Sequence, residues 1–118
     1  MDRCLRGGDA ASTYEEFEAW DTALHRTIIA ATHNRLLVRM YSLVDAARGG
    51  PLWGALKRRG DSGLRREEYQ RDHRALVAAL KNRDTERATE AMQAHLRRVE
   101  ANLLGTGEAR EAPANLRT

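Results

Sequence analysis

Apolar residues recur at steps of three and four along almost the whole chain, and no segment alternates with the period of two that a half-buried strand needs. That periodicity restricts the fold to the all-α class. Phe17, Trp20, Leu24, Ile28 and Ala31 form the first stripe, with Ser12 or Thr13 placed to cap it and Glu15 and Glu16 in its first turn, where the macrodipole favours acids. His33-Asn34 interrupts the pattern, Asn34 reading as a left-handed terminator. A second helix is expected from about Arg35, with Leu36, Leu37, Met40, Leu43, Val44 and Ala47 as its stripe, until Gly49-Gly50-Pro51 stops it.

Residues 51–63 read as the least regular part, with Leu52, Trp53 and Leu56 making at most one short amphipathic turn. A third helix is expected from about Leu64 to Lys81, its inner face carrying Tyr69, His73, Leu76, Val77 and Leu80. Asn82-Arg83-Asp84 reads as a tight turn in which Asp84 caps a fourth helix running to about Leu104. Ala88, Ala91, Met92, His95, Val99 and Leu103 form its stripe, and Gly105 and Gly107 end it. The expectation is an antiparallel helical bundle of about four main helices within residues 13–104. Residues 1–12 are expected to be disordered or the remnant of a preceding helix, and 105–118 a disordered tail.

A chain of 118 residues is one domain with a modest core. No apolar run reaches transmembrane length, the first residues lack a signal peptide's apolar core, and the lone Cys4 cannot form an internal disulfide. A cytoplasmic protein with no membrane partner is expected. The net charge of +3 and pI near 9.5 raise the question of nucleic acid. The basic residues are interleaved with acids, however, as in Arg65-Arg66-Glu67-Glu68, which is the pattern of a solvated helix face.

The chemistry lies in one acid and three histidines. Asp21 and His25, four residues apart, leave the same face of one helix. His73 and His95 fall on the inner stripes of the third and fourth helices. His73 lies about ten residues before the Asn82–Asp84 turn and His95 about eleven after it. Each is therefore roughly 15 Å from the turn, and the two share one level. If the first helix packs beside this hairpin, Asp21 and His25 close the set from the other side. Four such groups are costly to bury without a metal or a complete hydrogen-bond network. Together they form a ligand set for a divalent transition ion, and such a set suits several ions. His33, at a helix end, reads as structural or exposed.

Two other classes fit parts of this pattern. A small metal-dependent hydrolase would use an open metal position to activate water, but no HExxH arrangement is present. Asp72, beside His73, is expected to point elsewhere on its helix. A metal-free helical dimerisation module would satisfy its histidines by hydrogen bonds alone. Phe17, Trp20 and the Leu52-Trp53 segment are the expected contributors to an uncovered apolar face, and a homodimer is the expected assembly.

The run from Phe17 through Asp21 and His25, followed by His33-Asn34-Arg-Leu-Leu37, resembles the C-terminal effector-binding (FCD) domain of FadR-type GntR transcription regulators. The resemblance continues through Gly50-Pro-Leu-Trp53 and Asp72-His73-Arg-Ala-Leu-Val77, and ends with Arg83-Asp84, Ala91-Met92 and His95-Leu-Arg-Arg-Val99. It implies an all-helical, non-catalytic sensor in which Asp21, His25, His73 and His95 hold a metal, often Zn²⁺ and sometimes Ni²⁺ or Mn²⁺. An open metal position would take the carboxylate of a small organic-acid effector. The regulators also carry an N-terminal winged helix-turn-helix and further early helices, for which this chain has no room. DNA binding is accordingly expected only through that absent domain, and part of the pocket wall is expected to be missing.

Overall fold

The computed structural model describes residues 1–105. They form six helices and no strand: α1 (Asp2–Ala10), α2 (Tyr14–Ala30), α3 (Arg35–Arg48), α4 (Pro51–Arg59), α5 (Gly63–Lys81) and α6 (Thr85–Leu104). The all-α helical bundle agrees with the periodicity, but six helices replace the expected four. The added ones are α1, within the segment taken as disordered or a remnant, and α4, where a single turn was expected. The expectation for 106–118 lies outside the described residues.

The helix ends follow from local chemistry. The Thr13 hydroxyl accepts from the Glu16 amide at 3.2 Å, and the Glu16 carboxylate reaches back to the Ser12 amide at 3.0 Å. The two contacts satisfy orphan donors in a reciprocal pattern close to a capping box. Asn34 does not terminate α2. His33 takes the left-handed conformation (φ 53°), and Asn34, in extended backbone, caps α3 by accepting from the Leu37 amide at 3.1 Å. Pro51 opens α4, where its missing N–H costs nothing, and Lys57, Arg58 and Arg59 occupy the last turn, the favoured end for cations. Asp84 caps α6 through the Arg87 amide at 3.1 Å, and Gly105 ends it in the left-handed conformation at φ 69°.

The chain divides into two compact units, Met1–Gln70 and a second from Arg71 onward, so the boundary falls within α5. In the first unit Phe17 and Leu24 of α2 are buried, and the Phe17 ring stacks on Tyr69 with centroids 6.4 Å apart. α1 is polar and carries two glycines, yet it is held closely. A Cβ on Gly7 would fall 2.2 Å from the Trp20 ring, and one on Gly8 would fall 2.7 Å from the Gln70 amide nitrogen. That nitrogen donates to the Leu5 carbonyl at 2.9 Å and the Asp9 carboxylate at 3.0 Å. In the second unit Leu76, Val77 and Ala79 of α5 and Ala101 and Leu103 of α6 are buried.

The uncovered apolar face is not where it was expected. Phe17 is buried, Trp20 and Trp53 are half-buried, and of that group only Leu52 is well exposed. The face belongs instead to α3, none of whose residues is buried. α3 is fastened through its polar flank, by the Arg26–Asp45 ion pair at 2.6 Å and by Arg48, so its aliphatic stripe turns outward.

An ordinary Gly→Ala change inside a helix stabilises by about 0.5–1 kcal/mol. Gly7→Ala is expected to do the opposite, because the added methyl must displace the Trp20 ring. Overpacking of this kind costs about 1–3 kcal/mol, for a net loss of about 1 kcal/mol. Urea unfolding followed by circular dichroism checks it; a midpoint equal to or above that of the parent chain would refute the close approach.

Candidate metal centre

α2 places Asp21 and His25 one turn apart, with His25 Nε2 3.4 Å from Asp21 Oδ1. Asp21 is 5% exposed, too deep for an isolated carboxylate. Its other oxygen accepts a very short hydrogen bond from Arg48 Nη2 at the end of α3. The same guanidinium donates to the Tyr41 hydroxyl at 3.3 Å, lies 3.8 Å from Glu18 and sits over the Trp53 ring at 5.8 Å. Lys57 of α4, itself buried, meets Glu18 at 3.4 Å and lies over the Tyr69 ring at 4.7 Å. Burial, offset in part by Lys57, pushes the Glu18 carboxyl above its ordinary value. Burial alone would lower the Arg48 pKa, but the Asp21 carboxylate outweighs it and holds the pKa above the usual arginine value.

The second unit carries two further histidines. His73 is 1% exposed and His95 4%, and their rings meet edge to face with centroids 4.7 Å apart. The two histidines therefore share a level, as their equal distances from the Asn82–Asp84 turn require. Asp72 does not point away. Its Oδ2 lies 3.2 Å from His95 Nδ1 and accepts from Arg98 Nε at 2.9 Å. A carboxylate on Nδ1 fixes the tautomer and aims Nε2 as a donor lone pair, the usual support of a metal-bound imidazole.

His25 in the first unit and His73 and His95 in the second are together a candidate set of metal-holding side chains. Three imidazoles could hold one divalent ion, and nitrogen donors suit zinc, nickel and copper alike. Of the four residues singled out from sequence, these three form the cluster. Asp21 is outside it, its carboxylate engaged by Arg48 and beside His25. His33 is exposed at the end of α2 and is not in the cluster.

Two contributors escaped the sequence reading. Asp72 had a usable signal, since a residue next to His73 shares its level with His95 and Arg98. Arg48 had none, because its reach back to α2 depends on how α3 packs.

Residues 2–98 match the FCD domain family, and the chain belongs to it. This is a family of ligand-binding domains from GntR/FadR-type regulators, so its role is regulatory rather than catalytic. The chain is 35% identical over 96 residues to the Uxu operon transcriptional regulator of Escherichia coli (strain K12). That alignment covers 80% of this chain and 37% of the regulator, so the chain spans little more than a third of its relative's length. No solved structure matches the chain significantly. Among the described residues, no helix is long and apolar enough to cross a membrane.

Removing the support of a metal-bound histidine usually costs about 10–100-fold in metal affinity. Asp72→Asn is expected to weaken Zn²⁺ or Ni²⁺ binding by that factor while the helix content stays the same. Competition against a chromophoric chelator measures it. Unchanged affinity would mean that Asp72 does not steer the His95 ring.

Proposed function

We propose that this chain is the metal-assisted sensing part of a GntR/FadR-type transcription regulator, taking a small organic acid as effector. The observation that carries this reading is the meeting of the buried His73 and His95 rings within one unit, with His25 as the third candidate histidine. Family membership supports the sensing role, and the relative's description as an operon regulator supports the link to transcription. The three histidines would hold the ion, with Zn²⁺ ahead of Ni²⁺ or Mn²⁺, and Asp21 is the candidate fourth ligand beside His25. A bound ion supplies a positive, Lewis-acidic position at which a carboxylate can dock.

The chain's own residues do the rest. Asp72 keeps the His95 ring oriented, and Arg48 donates to the buried Asp21 carboxylate. An effector that binds one packing of the helices more tightly than another shifts the population toward it. Such a shift alters DNA affinity through a winged helix-turn-helix carried elsewhere in the full regulator, with no direct DNA contact by these helices.

Metal content of the chain purified without added metal tests the centre. His73→Ala and His95→Ala are each expected to lose most of the ion, and His33→Ala to keep it; equal loss in all three would refute the assignment by helix face. Because the ion binds only the folded state, chelation is expected to lower the melting temperature and Zn²⁺ or Ni²⁺ to restore it. A chain that carries no metal and melts identically with or without added ions would leave the metal-free dimerisation module as the better reading. With metal in place, calorimetric titration with simple dicarboxylates and sugar acids tests the effector class.

A further inference from the structure

The seam between α2 and α3 is a groove that the sensing role does not use. Its volume of about 570 Å³ lies within the range of small-molecule sites. Arg26, Ile29 and Ala30 line it from α2, at the spacing of one helix face, and Val38, Asp45 and Ala46 line it from α3. The two helices meet here through an ion pair, Arg26 Nε donating to Asp45 Oδ2 at 2.6 Å, rather than through interlocked apolar groups. Ile29 is therefore only half-buried, and Ala30, Val38 and Ala46 stay exposed.

The polar groups of the groove divide into two kinds. The Ser42 hydroxyl donates to the Arg39 carbonyl at 2.5 Å, and the Tyr41 hydroxyl accepts from Arg48 at 3.3 Å, so both are engaged elsewhere. Asp45 is different. Its side chain is 14% exposed, and its Oδ1 is buried with no hydrogen-bond partner among the described residues. A carboxylate oxygen shut away from water without a donor is costly, and a ligand that brings a donor to it relieves that cost. Arg26 is the opposite case. It is 64% exposed, so its ion pair opens at little cost, and its fork of N–H groups can turn to an acceptor on a ligand.

The pair thus calls for one cationic donor and one anionic acceptor, and the walls call for an apolar body. A simple amine would take Asp45 and strip Arg26 of its counter-charge. A simple carboxylate would take Arg26 and leave Asp45 Oδ1 without a donor. A zwitterion serves both and leaves the net charge of the groove unchanged.

We infer that the α2–α3 groove is a second ligand site, taking a free amino acid with a large apolar side chain. The ligand's ammonium enters the opened ion pair and donates to Asp45, its carboxylate accepts from the Arg26 guanidinium, and its side chain lies along Ile29, Val38 and Ala46. The site needs no metal and does not rest on the sensing role of the histidines.

Calorimetric titration of the whole chain with L-phenylalanine tests this, beside phenethylamine and phenylpropionate, which keep the ring and one charge each. Phenylalanine is expected to bind at about 1 mM or tighter, as suits a ligand of its size. The amine and the acid are each expected to bind about 10-fold or more weakly, because each leaves one charged group unserved. Arg26→Gln and Asp45→Asn are each expected to weaken phenylalanine binding by about the same 10-fold while helix content is kept. Because both changes also loosen α3, Ala30→Trp supplies a variant with the ion pair intact. Its indole fills the groove, and phenylalanine binding is expected to be lost. No binding of phenylalanine to the parent chain would overturn the inference. So would phenylpropionate binding as tightly as phenylalanine, the result expected if the carboxylate sought a metal instead, or phenylalanine binding that survives Ala30→Trp.

Discussion

The Arg48 guanidinium holds the first unit together. From the end of α3 it binds Asp21, approaches Glu18, donates to the Tyr41 hydroxyl and covers Trp53, so one side chain ties α2, α3 and α4. α3 contributes no buried apolar residue, and its attachment therefore rests on polar contacts rather than on a hydrophobic seam. Breaking a buried ion pair by removing one partner costs about 3–5 kcal/mol, because the other charge is stranded. That is a large share of the stability of a domain this small. The same arrangement fixes which way α3 faces. Its charged flank is turned in and its aliphatic stripe out, the reverse of an ordinary amphipathic helix.

The parts of the fold that were legible in sequence are those decided locally. Asp84 and Gly105 mark the ends of α6 because capping needs only neighbouring residues, and the Thr13 cap of α2 was readable for the same reason. Asn34 was read as an end when it is a beginning, since asparagine serves both roles and only the backbone of His33 separates them. α4 was reduced to a turn because nine residues containing Gly54 and three consecutive cations show too little apolar period. α1 was hidden by its glycines, which lower helix propensity but allow the close approach to Trp20 and Gln70 that holds the helix in place.

The candidate centre was legible to the extent that it depends on spacing. Equal distances from one turn brought His73 and His95 to a common level, and their rings do meet. What spacing could not supply was the rotation of each helix and the partners of each acid. Spacing places Asp21 beside His25, but not the cation that its depth obliges it to find, which Arg48 provides. Asp72 was dismissed by its offset from His73, although a rotation of about 100° still leaves it within reach of His95 and Arg98. Two carboxylates of this chain therefore stand beside its histidines with different work. One shares a turn with a histidine, and the other orients a histidine from across a helical hairpin.

The two glycines of α1 have a kinetic consequence. A nine-residue helix is too short to persist alone in water, and Gly7 and Gly8 make this one weaker still. Its helical state is lent by the Trp20 ring and the Gln70 amide, and it lasts only while those contacts do. In hydrogen exchange the amides of α1 should therefore behave as one unit that opens below the threshold for global unfolding, ahead of α2 and the second half of α5. α1 is then a soft element of its unit, a natural place for a local change in order to register.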